Sequence, residues 1–533
     1  MRRWNGWGDD SIETTIPPRA LELIETLVGA GTPPRDATLD EVVAAVPASR
    51  LTPDPLFTDD PIDRVRHARG HSLPDWIALR SGRLGAVPDA IARPPDRASV
   101  ADLFTVAGRT GAALLPYGGG TSVVGGVTVR RSDRPVVTVD LGATAGLHSL
   151  DEASHLAAFG AGTSGPQIEA ELEPHGLTLG HFPQSFEVST LGGWVVTRSV
   201  GQQARGFGRI EDLFIGGHLE TPRGALDLPT FPDSAAGPDL REAVLGSEGR
   251  LGILTDVTVR ATVRARLERF SAYLVPDWER ALLLARRLAQ AGLPLSMVRV
   301  STPLETATTF ALAGDRRAIG LLRRYLGWRG SGPERCLVIV GLTGEPGVVG
   351  ATSRAVDDLV RGSRGVAGPG IGTAWKRERF AAPYLRNALW DAGYAVDTLE
   401  TATDWTRLPD LAVALGRTLR HGLEASNERV HAFSHLSHGY PTGSSLYTTY
   451  LFRLALDPDE TLERWRMLKA AASRVIVEHG ATISHQHGVG VDHAPYLAAE
   501  KGALGMEAIE AIVRTFDPDG RMARGVLLGD DGP

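Results

Sequence analysis

Apolar residues recur along this chain with two periods, one typical of helices and the other typical of strands. Between residues 278 and 291 the apolar positions fall on one helical face, and they are Ala281, Leu284, Ala285 and Leu288. Residues 136–141 alternate with period two, whereas residues 337–342 form a continuous apolar run typical of a buried strand. Because helical and strand patterns follow one another throughout, the sequence predicts an α+β protein.

Shorter segments carry local signals of the same kind. Residues 18–28 and 506–516 are amphipathic, and residues 36–46 predict an acidic helix. Residues 166–173 begin with proline, which favours the first turn of a helix. The proline-rich residues 51–61 predict a link rather than a regular element.

The length of 533 residues exceeds what one hydrophobic core usually serves, so two or three domains are expected. We divide the chain into an N-terminal extension, two α+β domains and a C-terminal segment, at residues 1–83, 84–265, 266–480 and 481–533. The basic run at residues 64–71 lies in the extension. It is either a solvated helix face or part of a ligand site, and the sequence leaves both interpretations open.

Composition excludes several classes of protein. The formal charge of −7 argues against a nucleic-acid partner, because phosphate neutralisation needs clustered Lys and Arg. Cys336 is the single cysteine, so no internal disulfide forms, and we expect a buried strand residue rather than a nucleophile. No apolar run approaches the roughly 18 residues of a membrane helix, and the first ten residues lack the apolar core of a secretion signal. We therefore expect a cytoplasmic protein.

The glycine-dense residues 115–127 follow an apolar run and are the strongest candidate for a ligand site. Glycines let the backbone approach a ligand, and consecutive N–H groups form a concave anion site. We interpret the stretch as a diphosphate cradle, with a tight bend between two strands as the alternative. No Gly-Lys-Ser/Thr follows, so it is not a phosphate loop of the nucleotide-hydrolase type.

A second glycine stretch, residues 160–165, fits the Gly-x-Gly-x-x-Gly dinucleotide fingerprint. That fingerprint belongs to a repeated parallel βαβ series with an acidic strand end about 20 residues on. The downstream sequence has no such pattern, so we predict a strand-to-helix turn there.

Two more stretches, residues 183–194 and 246–255, complete a recognisable series with residues 115–127. In that order and spacing they resemble the FAD-binding domain of the vanillyl-alcohol-oxidase and p-cresol-methylhydroxylase (PCMH) superfamily. Within it the chain resembles the alkyldihydroxyacetonephosphate synthase family, from residues 4–8 to residues 484–490. The resemblance implies a PCMH-type FAD-binding domain, a substrate cap domain with an antiparallel sheet, and a C-terminal segment that returns to the flavin.

The resemblance also implies which residues hold FAD. The loop would hold the diphosphate, the second stretch the ring and ribityl chain, and the third stretch the adenosine side. The residues are Pro116, Tyr117, Gly118, Gly119, Gly120, Thr121, Ser122, Gln184, Ser185, Ser189, Thr190, Gly193, Thr197, Arg198, Ser199, Val200, Glu248, Gly249, Gly252, Ile253 and Leu254. Relatives with covalent flavin often have a histidine where this chain has Thr121 and Ser122, so noncovalent FAD is expected.

Three groups of candidate site residues follow from the same likeness. Tyr447 matches a tyrosine acid/base, although an aromatic residue on a half-buried strand is the alternative. A triple-histidine motif is replaced by His485, Gln486 and His487, and residues 485 and 487 face the same way on an extended segment. Gln486 cannot carry a proton near neutral pH. Arg386 and Arg299 match arginines that bind the substrate phosphate or line the site.

The implied activity is an exchange in which the acyl chain of acyl-dihydroxyacetone phosphate is replaced by a fatty alcohol, as in ether lipid synthesis, without net change in flavin redox state. A homodimer and peripheral membrane contact are expected by analogy. The main alternative is an FAD-linked dehydrogenase of 2-hydroxyacids such as D-lactate or glycolate, and a flavin-storing protein is a third. Some such dehydrogenases use a metal, for which His435, His438, His485 and His487 could be ligands. The Gly-Asp-Gly-Asn run of those relatives is absent, so no metal is expected.

Overall fold

The computed structural model describes residues 2–312 and 332–529. Its helices are α1 (Pro18–Val28), α2 (Leu39–Ala44), α3 (Pro61–Arg66), α4 (Leu73–Ser81), α5 (Arg97–Thr110), α6 (Gly165–Leu172), α7 (Leu191–Thr197), α8 (Ala204–Phe207), α9 (Ile210–Leu213), α10 (Arg241–Val244), α11 (Trp278–Gln290), α12 (Pro303–Leu312), α13 (Pro346–Gly362), α14 (Ile371–Glu378), α15 (Ala382–Asp391), α16 (Leu408–His421), α17 (Pro458–Glu478) and α18 (Ala494–Phe516). Its strands are β1 (Phe57–Thr58), β2 (Ala90–Ala92), β3 (Ala113–Tyr117), β4 (Val136–Asp140), β5 (Leu147–Asp151), β6 (Leu156–Gly160), β7 (Leu177–Thr178), β8 (Phe214–Thr221), β9 (Gly224–Leu228), β10 (Ile253–Arg260), β11 (Thr262–Val263), β12 (Leu267–Val275), β13 (Met297–Ser301), β14 (Cys336–Gly344), β15 (Val366–Ala367), β16 (Tyr394–Asp404), β17 (His431–Leu436) and β18 (Gly443–Arg453). The predicted α+β class is confirmed.

Two sheets form the first half of the molecule. Strands β2, β4 and β3 are parallel, and β1 pairs with β2 in the opposite direction. The second sheet has the order β5-β6-β10-β8-β9 and is antiparallel. Both sheets and helices α5, α6 and α7 share one hydrophobic core. The fingerprint at residues 160–165 is the predicted turn, since β6 ends at Gly160 and α6 begins at Gly165.

A seven-stranded antiparallel sheet forms the second half, in the order β15-β12-β14-β13-β17-β18-β16. Both its faces are covered, which explains the continuous apolar run of β14: Val338 and Val340 lie in one core, and Leu337 and Ile339 in another. The predicted helical face of α11 lies in the first of these cores. Cys336 is buried at the start of β14, as expected, and burial raises the pKa of its thiol.

The two ends of the chain meet at the first sheet. The N–H of His71 donates to the Ser122 carbonyl at 2.7 Å, so the basic run at residues 64–71 reaches the glycine loop instead of facing solvent. From the other end, the N–H of Ala523 donates to the Leu114 carbonyl at 2.9 Å. Among the described helices, none is long and apolar enough to cross a membrane.

Candidate active site

The glycine loop after β3 is an open row of hydrogen-bond donors. Within the described chain, the backbone N–H groups of residues 118–122 donate to no acceptor. Gly120 has φ of +64°, a conformation that glycine adopts without strain. A Cβ on Gly118 would come 2.2 Å from Thr190 Oγ1, and one on Gly119 would come 2.1 Å from the Val188 carbonyl. The loop therefore packs directly on residues 183–194 while its amides stay available to an anion.

In residues 183–194, the hydroxyl of Ser189 is bonded within the protein. Ser189 Oγ accepts a hydrogen bond from Trp194 Nε1 at 2.7 Å and donates to the Ser185 carbonyl at 2.9 Å. Arg198, at φ of +52°, pairs with Glu242 on the surface. The Arg198 guanidinium thus has a protein partner, and its contact with the cofactor stays a prediction.

The third stretch, residues 246–255, supports the loop after His487, a role that the sequence did not indicate. Glu248 is buried, and its carboxylate accepts hydrogen bonds from the N–H groups of Val489 at 2.6 Å and Gly490 at 2.7 Å. It therefore holds the loop that follows His487 instead of reaching for an adenosine group. Gly249 brings the stretch against the glycine loop, because a Cβ there would lie 3.1 Å from Pro116.

Replacing Glu248 with alanine is expected to destabilise this junction. Two buried N–H groups would lose their acceptor, at about 1–3 kcal/mol each. Hydrogen exchange followed by mass spectrometry should show faster exchange in the peptide that contains Val489 and Gly490, with little change in α11. Unchanged exchange in that peptide would contradict the assignment.

The matched variant Glu248→Gln tests how the negative charge of Glu248 affects the stability of the protein. Burial raises the pKa of Glu248 from 4.5 to about 7, so the wild type loses stability as the pH rises through 7. A shift of this size corresponds to roughly 3 kcal/mol. Denaturant unfolding at pH 5 and pH 8 should show a smaller difference between the two pH values for Glu248→Gln than for the wild type.

Tyr447 is positioned by strand register in β18, which lies next to the edge strand β16 of the seven-stranded sheet. In β18 its Cα partners are Glu400 of β16 on one side and His435 of β17 on the other. Its ring stacks on His435 with centroids 4.9 Å apart, and the His487 ring meets it edge-on at 5.7 Å. Burial raises the pKa of the Tyr447 phenol and lowers the pKa of His487, so both are neutral at pH 7. The sheet thus brings together two of the predicted site residues that are far apart in sequence.

Arg299, which the sequence assigns to the substrate, contacts Glu305 and His435 in the structure. Its Nη2 donates to Glu305 Oε1 at 2.7 Å, and its Nη1 lies 2.8 Å from His435 Nε2. Both terminal nitrogens thus have protein partners, and direct substrate binding by Arg299 stays a prediction. Its effect on the site is to fix His435, the ring on which Tyr447 stacks.

Arg386, unlike Arg299, has guanidinium nitrogens without a partner in the described part of the chain. From α15 its Nη1 donates to the His71 carbonyl at 2.6 Å, and its guanidinium lies 4.3 Å from the centroid of Trp76. Its Nε and Nη2 are shielded from solvent and have no partner within the described chain. Burial lowers the pKa of Arg386 to about 10, so it remains charged at neutral pH. A buried cation with two open donors is suited to an anionic ligand.

Glu400 is the centre of a cluster that the sequence analysis missed. Its carboxylate accepts hydrogen bonds from Ser437 Oγ at 2.6 Å and from the Gln486 amide. His485 Nδ1 lies 3.2 Å from Glu400 Oε1, and His438 Nδ1 lies 3.5 Å away. Gln486 therefore holds Glu400 and has no proton-carrying role. The signal in the sequence was weak, because Glu400 stands alone in an otherwise unremarkable strand.

The histidines proposed as an alternative metal-ligand set are divided between two places. His438 and His485 can offer ligand atoms with Glu400, all within 4.8 Å of one another. His435 and His487 lie instead on either side of Tyr447. That the chain holds no metal stays a prediction.

Comparison with known proteins follows the same division of the molecule. Residues 88–226 match the FAD binding domain family, and residues 265–527 match the C-terminal domain of FAD linked oxidases. The chain therefore combines an FAD binding domain with the C-terminal domain of FAD linked oxidases. The open amides of residues 118–122 fit this assignment, because FAD carries a diphosphate and the loop has the donors to hold it.

Similarity to individual proteins extends over nearly the whole chain. The alkyldihydroxyacetonephosphate synthase of Dictyostelium discoideum is 27% identical over 97% of this chain and 91% of its own length. The synthase of Trypanosoma brucei brucei is 26% identical over 88% of this chain and 78% of its own. A solved alkyldihydroxyacetonephosphate synthase structure superposes with a TM-score of 0.83, at 25% identity over 98% of both chains. The chain is thus an FAD-binding flavoenzyme with a small-molecule substrate, and the resemblance to the synthase family is confirmed.

Proposed function

We propose that this flavoenzyme is an alkylglycerone-phosphate synthase, which replaces the acyl chain of acyl-dihydroxyacetone phosphate with a fatty alcohol. The observation that carries the proposal is the open guanidinium of Arg386, since the substrate's phosphate is the anion it needs. Bound FAD supplies an electron-deficient ring beside the reacting carbon. Residues 118–122 would hold its diphosphate, and the backbone of residues 184–200 would line the ring without a covalent bond.

Arg386 would orient the substrate. A guanidinium offers paired donors to phosphate oxygens, and here Nε and Nη2 are free to donate. Stacking on Trp76 holds the plane of the guanidinium.

Tyr447 would take the proton beside the ketone of the bound substrate. In the free enzyme the phenol is protonated, so its own proton must first move to a neighbouring base. His487 is neutral at pH 7, and its ring meets Tyr447 edge-on, which makes this imidazole a suitable acceptor. Arg299 and Glu305 would keep the phenol in place through His435.

The direct test is incorporation of labelled hexadecanol into palmitoyl-dihydroxyacetone phosphate by the purified holoenzyme. We expect an ether product, release of palmitate and no net bleaching of the flavin. Anaerobic incubation with D-lactate or glycolate should leave the flavin oxidised. Bleaching by either 2-hydroxyacid without hexadecanol incorporation would overturn the proposal in favour of a dehydrogenase.

Both substrates carry long alkyl chains, so we further propose that the protein works at a membrane surface. We also propose that it is cytoplasmic and forms a homodimer. Vesicle flotation tests the membrane contact, and light scattering tests the homodimer. A protein that stays with the soluble fraction when vesicles contain both substrates would contradict the first, and a monomeric mass would contradict the second.

A further inference from the structure

Tyr440, which follows β17, is linked to the buried Glu400 through His485. Tyr440 Oη lies 2.7 Å from His485 Nε2, and Arg209 Nη1 lies 2.7 Å from the same phenol oxygen. On the far side of the imidazole, His485 Nδ1 lies 3.2 Å from Glu400 Oε1. The arrangement of carboxylate, imidazole and hydroxyl is the one that activates hydroxyl groups in hydrolases. Tyr447 pairs with His435 and His487 and is not a member of this arrangement, although Glu400 is its cross-strand neighbour.

The direction of each hydrogen bond follows from the chemistry of the groups. An arginine only donates, so the Tyr440 oxygen accepts from Arg209 and its own O–H points to His485 Nε2. Nε2 is then the acceptor, and it also faces Arg209 Nη1 at 3.2 Å. The imidazole proton is on Nδ1, which lies 3.2 Å from Glu400 Oε1 in a close contact that is not an aligned hydrogen bond in the described chain. One lone pair of the phenol oxygen is left for a further donor, such as the hydroxyl of a substrate.

A cavity of about 320 Å³ lies beside the phenol, between α8 and α9 of the flavin domain and the loop that follows β17. Its lining includes the charged side chains of Arg205, Arg209 and Asp212, the phenol of Tyr440, and the apolar side chains of Met297 and Val298. A hydroxyl at the end of an aliphatic chain matches this mixture, because the hydroxyl can donate to Tyr440 while the chain contacts Met297 and Val298.

We propose that Tyr440, His485 and Glu400 form a second proton-transfer site, which binds and activates the incoming primary alcohol. The inference rests on the proposed function. The alcohol O–H bond breaks and its proton passes to Tyr440 Oη, while the tyrosine's own proton passes to His485 Nε2. The alcohol oxygen then forms the new bond to the substrate carbon, whose bond to the acyl oxygen breaks. The proton on His485 finally leaves with the fatty carboxylate.

The test compares Tyr440→Phe with Tyr447→Phe in two reactions of the holoenzyme. The first is loss of tritium from the carbon beside the ketone of labelled palmitoyl-dihydroxyacetone phosphate, and the second is hexadecanol incorporation. Tyr440→Phe should lower incorporation by about 10²-fold or more while tritium loss stays within about threefold of wild type. Tyr447→Phe should lower both. Equal losses in the two reactions for Tyr440→Phe, or full incorporation, would overturn the inference.

Binding of decanol, followed by the change in flavin absorbance, is independent of turnover. The wild type should bind decanol, and Tyr440→Phe and the cavity-filling Ala204→Trp should not. If decanol binds in this way but no ether product forms, the proposed function fails and the alcohol site stands. If the wild type does not bind decanol, the alcohol site fails.

Metal analysis gives one more decisive outcome. If the wild type holds one equivalent of metal and His438→Ala holds none, Glu400 and His485 are metal ligands. The proton relay would then be wrong. A metal-free holoenzyme that binds decanol supports the relay.

Discussion

Replacing Arg386 with methionine is expected to lower kcat/KM for palmitoyl-dihydroxyacetone phosphate by about 10²- to 10³-fold. The loss of a buried charge from its contact with an anionic partner costs roughly 2–5 kcal/mol, and each 1.4 kcal/mol is a factor of ten. Arg386→Lys keeps the charge but loses the paired donors, so it should recover only part of the activity. Steady-state kinetics with each variant measures both effects.

Arg386→Met should also be more stable than the wild type. In the free protein the guanidinium is shielded and two of its nitrogens have no partner, so an apolar side chain in its place removes a desolvation cost of about 1–4 kcal/mol. Thermal unfolding should therefore show a higher Tm for Arg386→Met, while the exposed Arg377→Met should change neither Tm nor activity. Loss of activity with a lower Tm would indicate a structural role instead. A phosphate-free substrate should not distinguish Arg386→Met from wild type.

Replacing Tyr447 with phenylalanine is expected to lower kcat by about 10²- to 10⁴-fold, the range that a positioned acid or base contributes. The stacked contact with His435 is kept because the ring is kept. FAD should remain bound, since the glycine loop at residues 118–122 does not contact the phenol. Stopped assays and the flavin spectrum measure the two properties. A fully active variant would show that the phenol has no role in proton transfer.

Tyr450→Phe is the matched control for that experiment, because it removes a hydroxyl from the same strand. Tyr450 Oη donates to Asp397 Oδ2 at 2.9 Å, and both residues are buried. Its removal should cost about 1–2 kcal/mol of stability while kcat at a permissive temperature changes little. If both tyrosine variants lost activity in proportion to stability, the effect of Tyr447→Phe would be structural.

The sequence identified the residues of the cofactor site and those of the substrate site to different extents. The glycine loop was recognisable because a run of glycines has few uses besides close backbone approach, and the resemblance then supplied the cofactor. Arg386 and Tyr447 were identified by motif. Glu248 and Arg299 were assigned to ligands, but both are engaged by protein groups, Glu248 by the amides of residues 489 and 490, and Arg299 by Glu305.

Sequence alone determined the local features of this protein: the helical face of α11, the doubly buried strand β14, the glycine loop and the α+β class. Each depends on periodicity or on conformational preference over a few residues, which a single chain reveals. Tertiary structure alone decided which side chains share a site. Antiparallel register placed Glu400 and His435 opposite Tyr447, and chain packing left two nitrogens of Arg386 without a hydrogen-bond partner among the described residues. Those pairings join segments distant in sequence, and no local pattern encodes which partner a charged side chain will meet.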